Sequence, residues 1–213
     1  MCDRCVIFDL DGTLVDSRFD LANAINLMRQ DYKLESLSLE KITSYIGNGA
    51  TKLCERALAG TEHNVIEAVD RFKAHYRRHL TDHTICYPGV EPGLEVLHAA
   101  DMPCAVVTNK PQEEAESILR DLGIAQYFAL IVGGGGNFPL KPNPAALLYF
   151  AKENGSNPAN CFMVGDHYTD LEAGFNAGMK TLFVKWGFGQ PRNQKYDYIA
   201  DSFAAGVKII LET

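Results

Sequence analysis

An apolar run that ends in two carboxylates, near the start of the chain, limits the possible folds most strongly. The apolar residues 5–8 are followed directly by Asp9-Leu10-Asp11-Gly12-Thr13-Leu14. Such a run predicts a buried strand that carries acids at its carboxyl end. Two carboxylates about 4 Å apart repel each other by about 4 kcal/mol at an effective dielectric constant near 20. The pattern therefore predicts a bound cation or a protonated carboxyl group, unless the acids lie in a solvated turn.

Beyond Pro88 the chain alternates between helical and strand-like segments. Candidate strands lie at residues 104–107, 128–132, 161–164 and 181–184, separated by candidate helices at residues 112–122, 143–152 and 171–177. This alternation predicts an α/β fold, in which a doubly wound parallel sheet carries helices on both faces. The first strand belongs to the same sheet, since ligands bind at the carboxyl ends of such strands and its acids lie at that end.

Residues 17–82 follow a different pattern and contain no convincing strand. Apolar residues recur there at helical spacing in four groups, which begin near Phe19, Leu39, Leu53 and Val65. The sequence therefore predicts two domains. Residues 1–16 and 83–213 form a discontinuous α/β core, and residues 17–82 form an all-helical domain inserted after the first strand. Hinges near residues 15–18 and 83–88 would let the inserted domain close over the strand ends.

The overall charge limits which partners the chain can bind. Its formal net charge of −7 argues against a nucleic acid or an acidic membrane surface, because both need a basic face. The start Met1-Cys2-Asp3-Arg4 has no signal-peptide pattern and no apolar run is long enough to span a membrane, so we expect a cytoplasmic location. Cysteines should be reduced there, and we do not expect the isolated Cys2-x-x-Cys5 pair to bind zinc or act in redox chemistry.

Polar side chains follow four of the predicted strands. They are Asp9 and Asp11, then Thr108 and Asn109, then Lys141, and finally Asp166 with Asp170. Taken singly, each has an ordinary explanation as a helix cap, a solvated lysine or an acid in a first helical turn. Because parallel strands end at one edge of a sheet, we expect these side chains to meet there.

Together these residues suit phosphoryl transfer. Asp9 and Asp166 would supply the hard oxygen ligands that Mg²⁺ prefers. The Thr108 hydroxyl and the Lys141 ammonium would hold the equatorial phosphate oxygens. A carboxylate can also attack phosphorus itself, which divides one difficult displacement into two easier ones.

The same segments resemble the four motifs of the haloacid dehalogenase superfamily, in the order that the family has them. The matching residues are Asp9-Leu10-Asp11-Gly12-Thr13-Leu14, Thr108-Asn109, Lys141-Pro142 and Gly165-Asp166-His167-Tyr168-Thr169-Asp170. The resemblance implies a Rossmann-like core with a helical cap. It also implies that Asp9 is the nucleophile that forms an aspartyl-phosphate. Asp11 would then be the acid that protonates the leaving alcohol and the base that activates water.

By the same resemblance, Thr108 and Lys141 bind the transferring phosphoryl group. Asp9, Asp166 and the backbone carbonyl of Asp11 would bind Mg²⁺, while Asp170 would orient Lys141 or a metal-bound water. The dehalogenases of this superfamily lack an aspartate at the position of Asp11. The resemblance therefore implies a phosphatase.

Within the superfamily, Ser44-Tyr45-Ile46-Gly47-Asn48-Gly49-Ala50 resembles a cap segment of phosphoglycolate phosphatases. This implies that Gly47, Asn48 and Gly49 bind substrate, and that 2-phosphoglycolate is the first candidate. The amino-terminal end of a helix after these glycines would suit a carboxylate, although a plain helix-to-helix turn explains them equally well. His167 departs from the pattern, since serine is more usual there; it either takes part in the site or points away.

Other functions stay open at this point. A phosphomutase similar to β-phosphoglucomutase shares the motifs and needs a closing cap. A phospho-accepting receiver or a catalytically silent binding protein could collect the same acids around Mg²⁺, although receiver domains lack a helical insertion after the first strand. For the leading hypothesis, we expect a small phosphorylated metabolite as partner, and the chain as a monomer or a homodimer.

Overall fold

The strands and helices follow the order that the sequence pattern predicts. The computed structural model describes residues 3–213. The strands are β1 (Val6–Phe8), β2 (Val15–Asp16), β3 (Ile85–Cys86), β4 (Cys104–Pro111), β5 (Leu130–Gly134), β6 (Phe162–Gly165), β7 (Lys180–Val184) and β8 (Tyr198–Ala200). The helices are α1 (Arg18–Asp31), α2 (Leu39–Thr43), α3 (Gly49–Ala57), α4 (Val65–Arg78), α5 (Val90–Ala99), α6 (Gln112–Asp121), α7 (Ala145–Glu153), α8 (Tyr168–Asn176) and α9 (Phe203–Glu212).

Six of the strands form one parallel sheet in the order β5-β4-β1-β6-β7-β8. Strand β1 lies between β4 and β6 and is completely buried. Its side chains alternate between two apolar clusters: Val6 and Phe8 pack with α5, α6 and α9, whereas Ile7 packs with α7 and α8. Helices therefore cover both faces of the sheet, which confirms the predicted doubly wound, Rossmann-like α/β fold.

Helices α1–α4, which we call the helical insertion, pack around an apolar cluster of their own. The chain enters and leaves the insertion through β2 and β3, which pair in an antiparallel ribbon. Buried Asp20 joins the two connections, because its Oδ2 accepts hydrogen bonds from the backbone N–H and the hydroxyl of Thr84, both at 2.7 Å. The insertion is thus held at its base by a ribbon and by a buried carboxylate.

Several elements differ from the sequence-based expectation or were not foreseen. Strand β4 continues to Pro111 and so includes Thr108, Asn109 and Lys110, which were expected to follow the strand. Strand β5 continues beyond the predicted residues 128–132 and includes Gly133 and Gly134, the first two of four consecutive glycines. Because they have no side chains, the strand can lie against residues 110–112. The ribbon β2–β3, strand β8 and helix α9 had no counterpart in the prediction. The ribbon strands have only two residues each, which is too short for a strand pattern to be recognised.

The five cysteines among the described residues are free thiols. Cys5 is buried, with its Sγ 3.3 Å from that of Cys161, so it packs in the core. Cys2, the other half of the C-x-x-C pair, lies outside the described residues. Among residues 3–213, no helix has both the length and the apolar character that crossing a membrane would require.

Candidate active site

The sheet register brings the polar strand ends together. Phe8 is paired with Val106 on one side and with Val164 on the other. Asp9 follows Phe8 directly, and its backbone N–H donates to the carbonyl of Val164 at 2.9 Å. Thr108 and Asp166 each lie two residues beyond the paired valines. All three side chains therefore lie at the carboxyl edge of the sheet, where a parallel α/β fold binds ligands.

Lys141 connects two of the buried carboxylates. Its Nζ lies 2.8 Å from Asp9 Oδ1 and 2.7 Å from Asp170 Oδ1. Both separations are short, so the ammonium is in direct contact with the two carboxylate oxygens. Burial disfavours the charged ammonium, but Asp170 and Asp9 outweigh that effect and raise the pKa of Lys141. The lysine is therefore a fixed positive charge beside Asp9.

The surroundings of Asp9 disfavour the ionised form of its carboxyl group. Burial and the neighbouring Asp170 together raise the pKa of Asp9 to about 6, against the lowering effect of Lys141. A second cation beside this carboxylate would favour its charged form. The electrostatics of Asp9 therefore suit a site that works with a bound cation.

Asp166 is held by a loop that sequence reasoning missed. Its Oδ2 accepts backbone N–H groups from Phe188 at 2.9 Å and Gly189 at 2.7 Å. A side chain on Gly187 would overlap the Asp166 carboxylate, so the loop needs a glycine there to approach. The glycines at 187 and 189, in the loop that follows β7, were the available signal. Burial, then Asp170 and Asp9, hold the pKa of Asp166 well above its usual range.

The three carboxylates fit a divalent cation. One oxygen from each of Asp9, Asp166 and Asp170 lies within 4.8 Å of the others, and all three residues are buried. Lys141 contacts only two of them among the described residues, so negative charge is in excess. Mg²⁺ prefers hard oxygen ligands, and these three carboxylates supply such oxygens together with an excess of negative charge. The carboxylate of Asp11 is outside this group, which is consistent with the expectation that only its backbone carbonyl is a ligand.

Asp11 instead contacts a lysine that the sequence argument did not single out. Lys110 Nζ lies 2.9 and 3.1 Å from the two carboxylate oxygens of Asp11 and 2.6 Å from the hydroxyl of Tyr76, on α4. Ser17 donates its hydroxyl to Asp11 Oδ1 at 2.5 Å. The signal for Lys110 was a lysine directly after Thr108-Asn109, at the end of an otherwise apolar strand.

Asn109 joins three segments of the site. Its Oδ1 accepts the backbone N–H of Lys141 at 2.8 Å, and its Nδ2 donates to the Lys141 carbonyl at 3.0 Å. The same Nδ2 lies 3.1 Å from the carbonyl of Gly47 in the helical insertion. Thr108, the preceding residue, is also buried, and its hydroxyl accepts the backbone N–H of Lys110 at 3.2 Å.

The segment Gly47-Asn48-Gly49 lies against the core. The Asn48 amide donates to the Tyr168 hydroxyl at 2.8 Å and accepts from Arg56 at 2.8 Å, so its side chain is occupied by protein partners. Gly47 has a φ of +111°, and a Cβ there would lie 2.7 Å from Nε2 of His167. Gly49 is the first residue of α3, whose N-cap, Asn48, makes no side-chain capping bond.

His167 lies in the site and also caps a helix. It is the N-cap of α8, and its ring accepts the backbone N–H of Thr169 while Asp170 accepts the backbone N–H of His167. Serine is a usual N-cap, so the imidazole takes over a task that the more common residue would perform. Burial lowers the pKa of His167 to about 4, so the ring is neutral near pH 7.

A cavity lies between the strand ends and the helical insertion. On the core side it is lined by Asp9, Asp11, Thr108, Asn109, Lys110, Asp166 and His167. On the side of the insertion the lining is mainly apolar and consists of Leu21, Ile46, Ala50, Leu53, Phe72 and Tyr76. The charged side chains thus line one side of the cavity, and apolar side chains line the other.

Comparison with known proteins identifies the family. The family model described as haloacid dehalogenase-like hydrolase matches residues 6–184. The chain therefore belongs to the haloacid dehalogenase-like hydrolases, as its motifs implied.

Relatives that match nearly the whole chain indicate which type of hydrolase within this family the protein resembles. The chain is 38% identical to the phosphoglycolate phosphatase of Chromobacterium violaceum, covering 94% of this chain and 93% of that protein. It is 36% identical to the phosphoglycolate phosphatase of Psychrobacter arcticus, with coverages of 100% and 97%. The crystal structure of a predicted phosphoglycolate phosphatase from Haemophilus somnus superposes with a TM-score of 0.92 at 34% identity, covering 98% of this chain and 99% of that one. The protein is thus an enzyme of the phosphoglycolate phosphatase-like type.

Proposed function

We propose that this protein is a Mg²⁺-dependent phosphomonoesterase that acts through an aspartyl-phosphate on Asp9, with 2-phosphoglycolate as its most favoured substrate. The observation that carries the proposal is the buried group of Asp9, Asp166 and Asp170 at the sheet edge, with the Lys141 ammonium between two of its members. A dianionic phosphate ester could not approach three carboxylates unless a cation offset their charge.

In this proposal, Asp9 attacks phosphorus while the bond from phosphorus to the ester oxygen breaks. Asp11 gives its proton to that oxygen, and the alcohol leaves. Asp11 then takes a proton from a water molecule as the water oxygen bonds to phosphorus, which frees Asp9 and releases inorganic phosphate. Thr108 and Lys141 hold the phosphoryl oxygens, and Asp170 and Asn109 hold Lys141 in place by the contacts described above.

Asp9, Asp166 and the backbone carbonyl of Asp11 would hold Mg²⁺, with Asp170 beside them. When bound, the ion offsets carboxylate charge and that of the transferring phosphoryl group. Burial keeps the pKa of Asp166 high in the metal-free protein. Loading of the site should therefore release protons, because the ligands must be ionised.

The helical insertion, within residues 17–82, would act as a cap that closes over the substrate. Its apolar lining, Ile46 and Phe72 included, would exclude water from the cavity. Gly47 and Gly49 would contact the substrate through their backbone, and the uncapped amino end of α3 suits a carboxylate. The Asn48 side chain would hold the closed cap against Tyr168 rather than bind substrate. His167 would line the substrate's path beside Gly47.

The choice of substrate rests on the relatives and on the polarity of the residues that line the cavity. Relatives that share 36–38% identity with this chain are named phosphoglycolate phosphatases. The cavity between the insertion and the sheet has charged groups on one side only. It suits a short leaving group whose carboxylate meets the amino end of α3 better than a sugar or nucleotide, which would place many hydroxyls against apolar side chains.

A phosphate-release assay over a panel of esters tests the proposal. The panel contains 2-phosphoglycolate, phosphoglycolamide, in which an uncharged amide replaces the carboxylate, glycerol phosphate and the glucose phosphates, each with Mg²⁺ and with EDTA. We expect turnover only with Mg²⁺, and a kcat/KM at least about tenfold higher for 2-phosphoglycolate than for the amide. Turnover that persists in EDTA would reject metal dependence. An isomerised sugar phosphate without net phosphate release would instead identify a phosphomutase.

The nucleophile is tested by substitution and by trapping. Asp9→Asn should abolish turnover, because an amide neither attacks phosphorus nor balances Mg²⁺ well. Asp197→Asn is the matched control, because Asp197 accepts the backbone N–H of Thr181 at the opposite end of the sheet and should leave turnover intact. Beryllium fluoride should form its adduct on Asp9; an adduct on another residue would contradict the proposal.

A further inference from the structure

Lys110 is a buried charge that the proposed mechanism leaves without a task. Its side chain is only 2% exposed, although lysine is rarely buried without a partner. An ammonium has three hydrogen-bond donors, and the contacts of Nζ account for three: both carboxylate oxygens of Asp11 and the hydroxyl of Tyr76. Lys110 therefore directs all of its hydrogen bonds to one reactive carboxylate and to one residue of the helical insertion.

These contacts restrict how the Asp11 carboxylate can turn. Lys110 engages both oxygens, and Ser17 donates to one of them. The Asp11 side chain nevertheless stays 13% exposed, and Asp11 lines the cavity. A carboxylate held on one side and open on the other is oriented toward the bound ester, as a proton donor must be.

Tyr76 adds a contribution from outside the core. Its ring is buried in the insertion and stacks on Phe72 with ring centroids 5.5 Å apart, so packing fixes its position on α4. The hydroxyl reaches out of this apolar surface to Lys110 at 2.6 Å. If the insertion moved away from the sheet, Lys110 would lose this partner and gain access to water.

We propose that Lys110 is a positioning residue that orients Asp11 for proton transfer, and that Tyr76 makes this orientation depend on docking of the helical insertion. The inference rests on the proposed phosphatase function and adds a device to it. Asp11 is fully oriented only while the insertion covers the site, when bulk water is excluded. Proton transfer is thereby restricted to the closed enzyme.

The first experiment separates orientation of Asp11 from direct substrate binding. Lys110→Met keeps the length of the side chain and removes its charge. We expect kcat to fall about 100-fold, as for a small misplacement of a reacting group, while KM changes less than about threefold. If Lys110 bound the substrate instead, KM would rise with little change in kcat, and the proposal would be wrong.

A double-mutant cycle gives the second readout. Lys110→Met is combined with Asp11→Asn, and slow turnover of p-nitrophenyl phosphate is followed at high enzyme concentration. If Lys110 acts through Asp11, the second substitution should cause no further loss. Losses that multiply would overturn the proposal, because Lys110 would then act independently of Asp11.

Tyr76→Phe tests the link to the insertion and does not depend on the folding of the Lys110 variant. It removes the hydroxyl and keeps the stack on Phe72, so we expect a kcat about tenfold lower at nearly unchanged KM and melting temperature. Tyr32→Phe is the matched control, since its hydroxyl lies in the same insertion and meets no hydrogen-bond partner among residues 3–213. Equal kcat values for the two variants would refute the role of Tyr76. Failure of the wild type to release phosphate would instead refute the proposed function.

Discussion

Replacing Asp166 by asparagine should stabilise the metal-free protein while abolishing its activity. Asp166 contributes a third negative charge to a buried group in which Lys141 contacts only Asp9 and Asp170 among the described residues. The amide oxygen of asparagine can still accept the two backbone N–H groups of Phe188 and Gly189. The substitution therefore removes charge repulsion with little loss of hydrogen bonding.

The separation of the carboxylates sets the magnitude. At the 4.8 Å upper limit of the oxygen separations, two carboxylates repel by about 3.5 kcal/mol at an effective dielectric constant near 20. Asp166 has two such neighbours, Asp9 and Asp170, and Lys141 offsets part of both. We therefore expect a gain of up to about 3 kcal/mol in the free energy of unfolding, reached when Asp166 is fully ionised, which corresponds to about 6–12 °C in Tm for a protein of this size.

The gain should depend on pH, with a sign fixed by the raised pKa of Asp166. Burial and the neighbouring carboxylates raise this pKa in the folded state. Between the unfolded and folded pKa values, the folded wild type thus binds more protons than the unfolded chain, and it loses stability as the pH rises. The advantage of the variant therefore grows as the pH rises through the folded pKa of Asp166 and shrinks as the pH falls toward 4.

Urea unfolding in EDTA, followed by the fluorescence of Trp186, measures this effect. Trp186 is the single tryptophan of the chain and donates its indole N–H to the carbonyl of Thr13, close to the site. Saturating Mg²⁺ should stabilise the wild type by about 3 kcal/mol at 100 times its Kd, and the variant much less. The control Asp197→Asn should not be stabilised in EDTA. A variant less stable than the wild type in EDTA would refute the reasoning.

Three further predictions concern contacts around the site. Lys141→Met should lower kcat about 100- to 1000-fold in the phosphate-release assay, as loss of an oxyanion-hole donor does; a loss below tenfold would contradict its role. Gly47→Ala should raise KM and lower Tm, because its Cβ would lie 2.7 Å from His167 Nε2 at a φ of +111°; unchanged values would count against a tightly docked loop. Arg77→Ala should cost about 2 kcal/mol in urea unfolding, because buried Glu114 loses its donor at 2.9 Å, whereas the exposed control Arg71→Ala should cost under about 1 kcal/mol.

The sequence was sufficient for those parts of the site that local patterns encode. Residues 5–8 are apolar and Asp9 follows them, so both a buried strand and its acidic end could be predicted, and parallel topology then required Thr108 and Asp166 to meet Asp9. The periodicity of residues 17–82 likewise predicted the helices α1 to α4. These features depend on neighbours in the chain and on one general rule of sheet topology.

The rest depends on contacts between segments far apart in sequence. Phe188 and Gly189 hold Asp166 through backbone N–H groups, which every residue except proline possesses, so the glycines at 187 and 189 are the only sign of this contact in the sequence. Sequence patterns assign neither Lys110 nor Tyr76 to the site, and only the docking of α4 against the end of β4 makes them partners. The strands of the ribbon β2–β3 are too short to show an alternating pattern of apolar and polar residues in the sequence.

The helical insertion is part of the candidate active site because core residues of the site bind it directly. The Asn109 amide that holds the backbone of Lys141 also donates to the Gly47 carbonyl, and the Lys110 ammonium that holds Asp11 also donates to Tyr76. Moving the insertion would therefore disturb the supports of a phosphate-binding lysine and of an acid–base carboxylate together. If the insertion opens to admit substrate, opening must also relax Asp11 and Lys141, so that the full catalytic arrangement exists only around an enclosed ester.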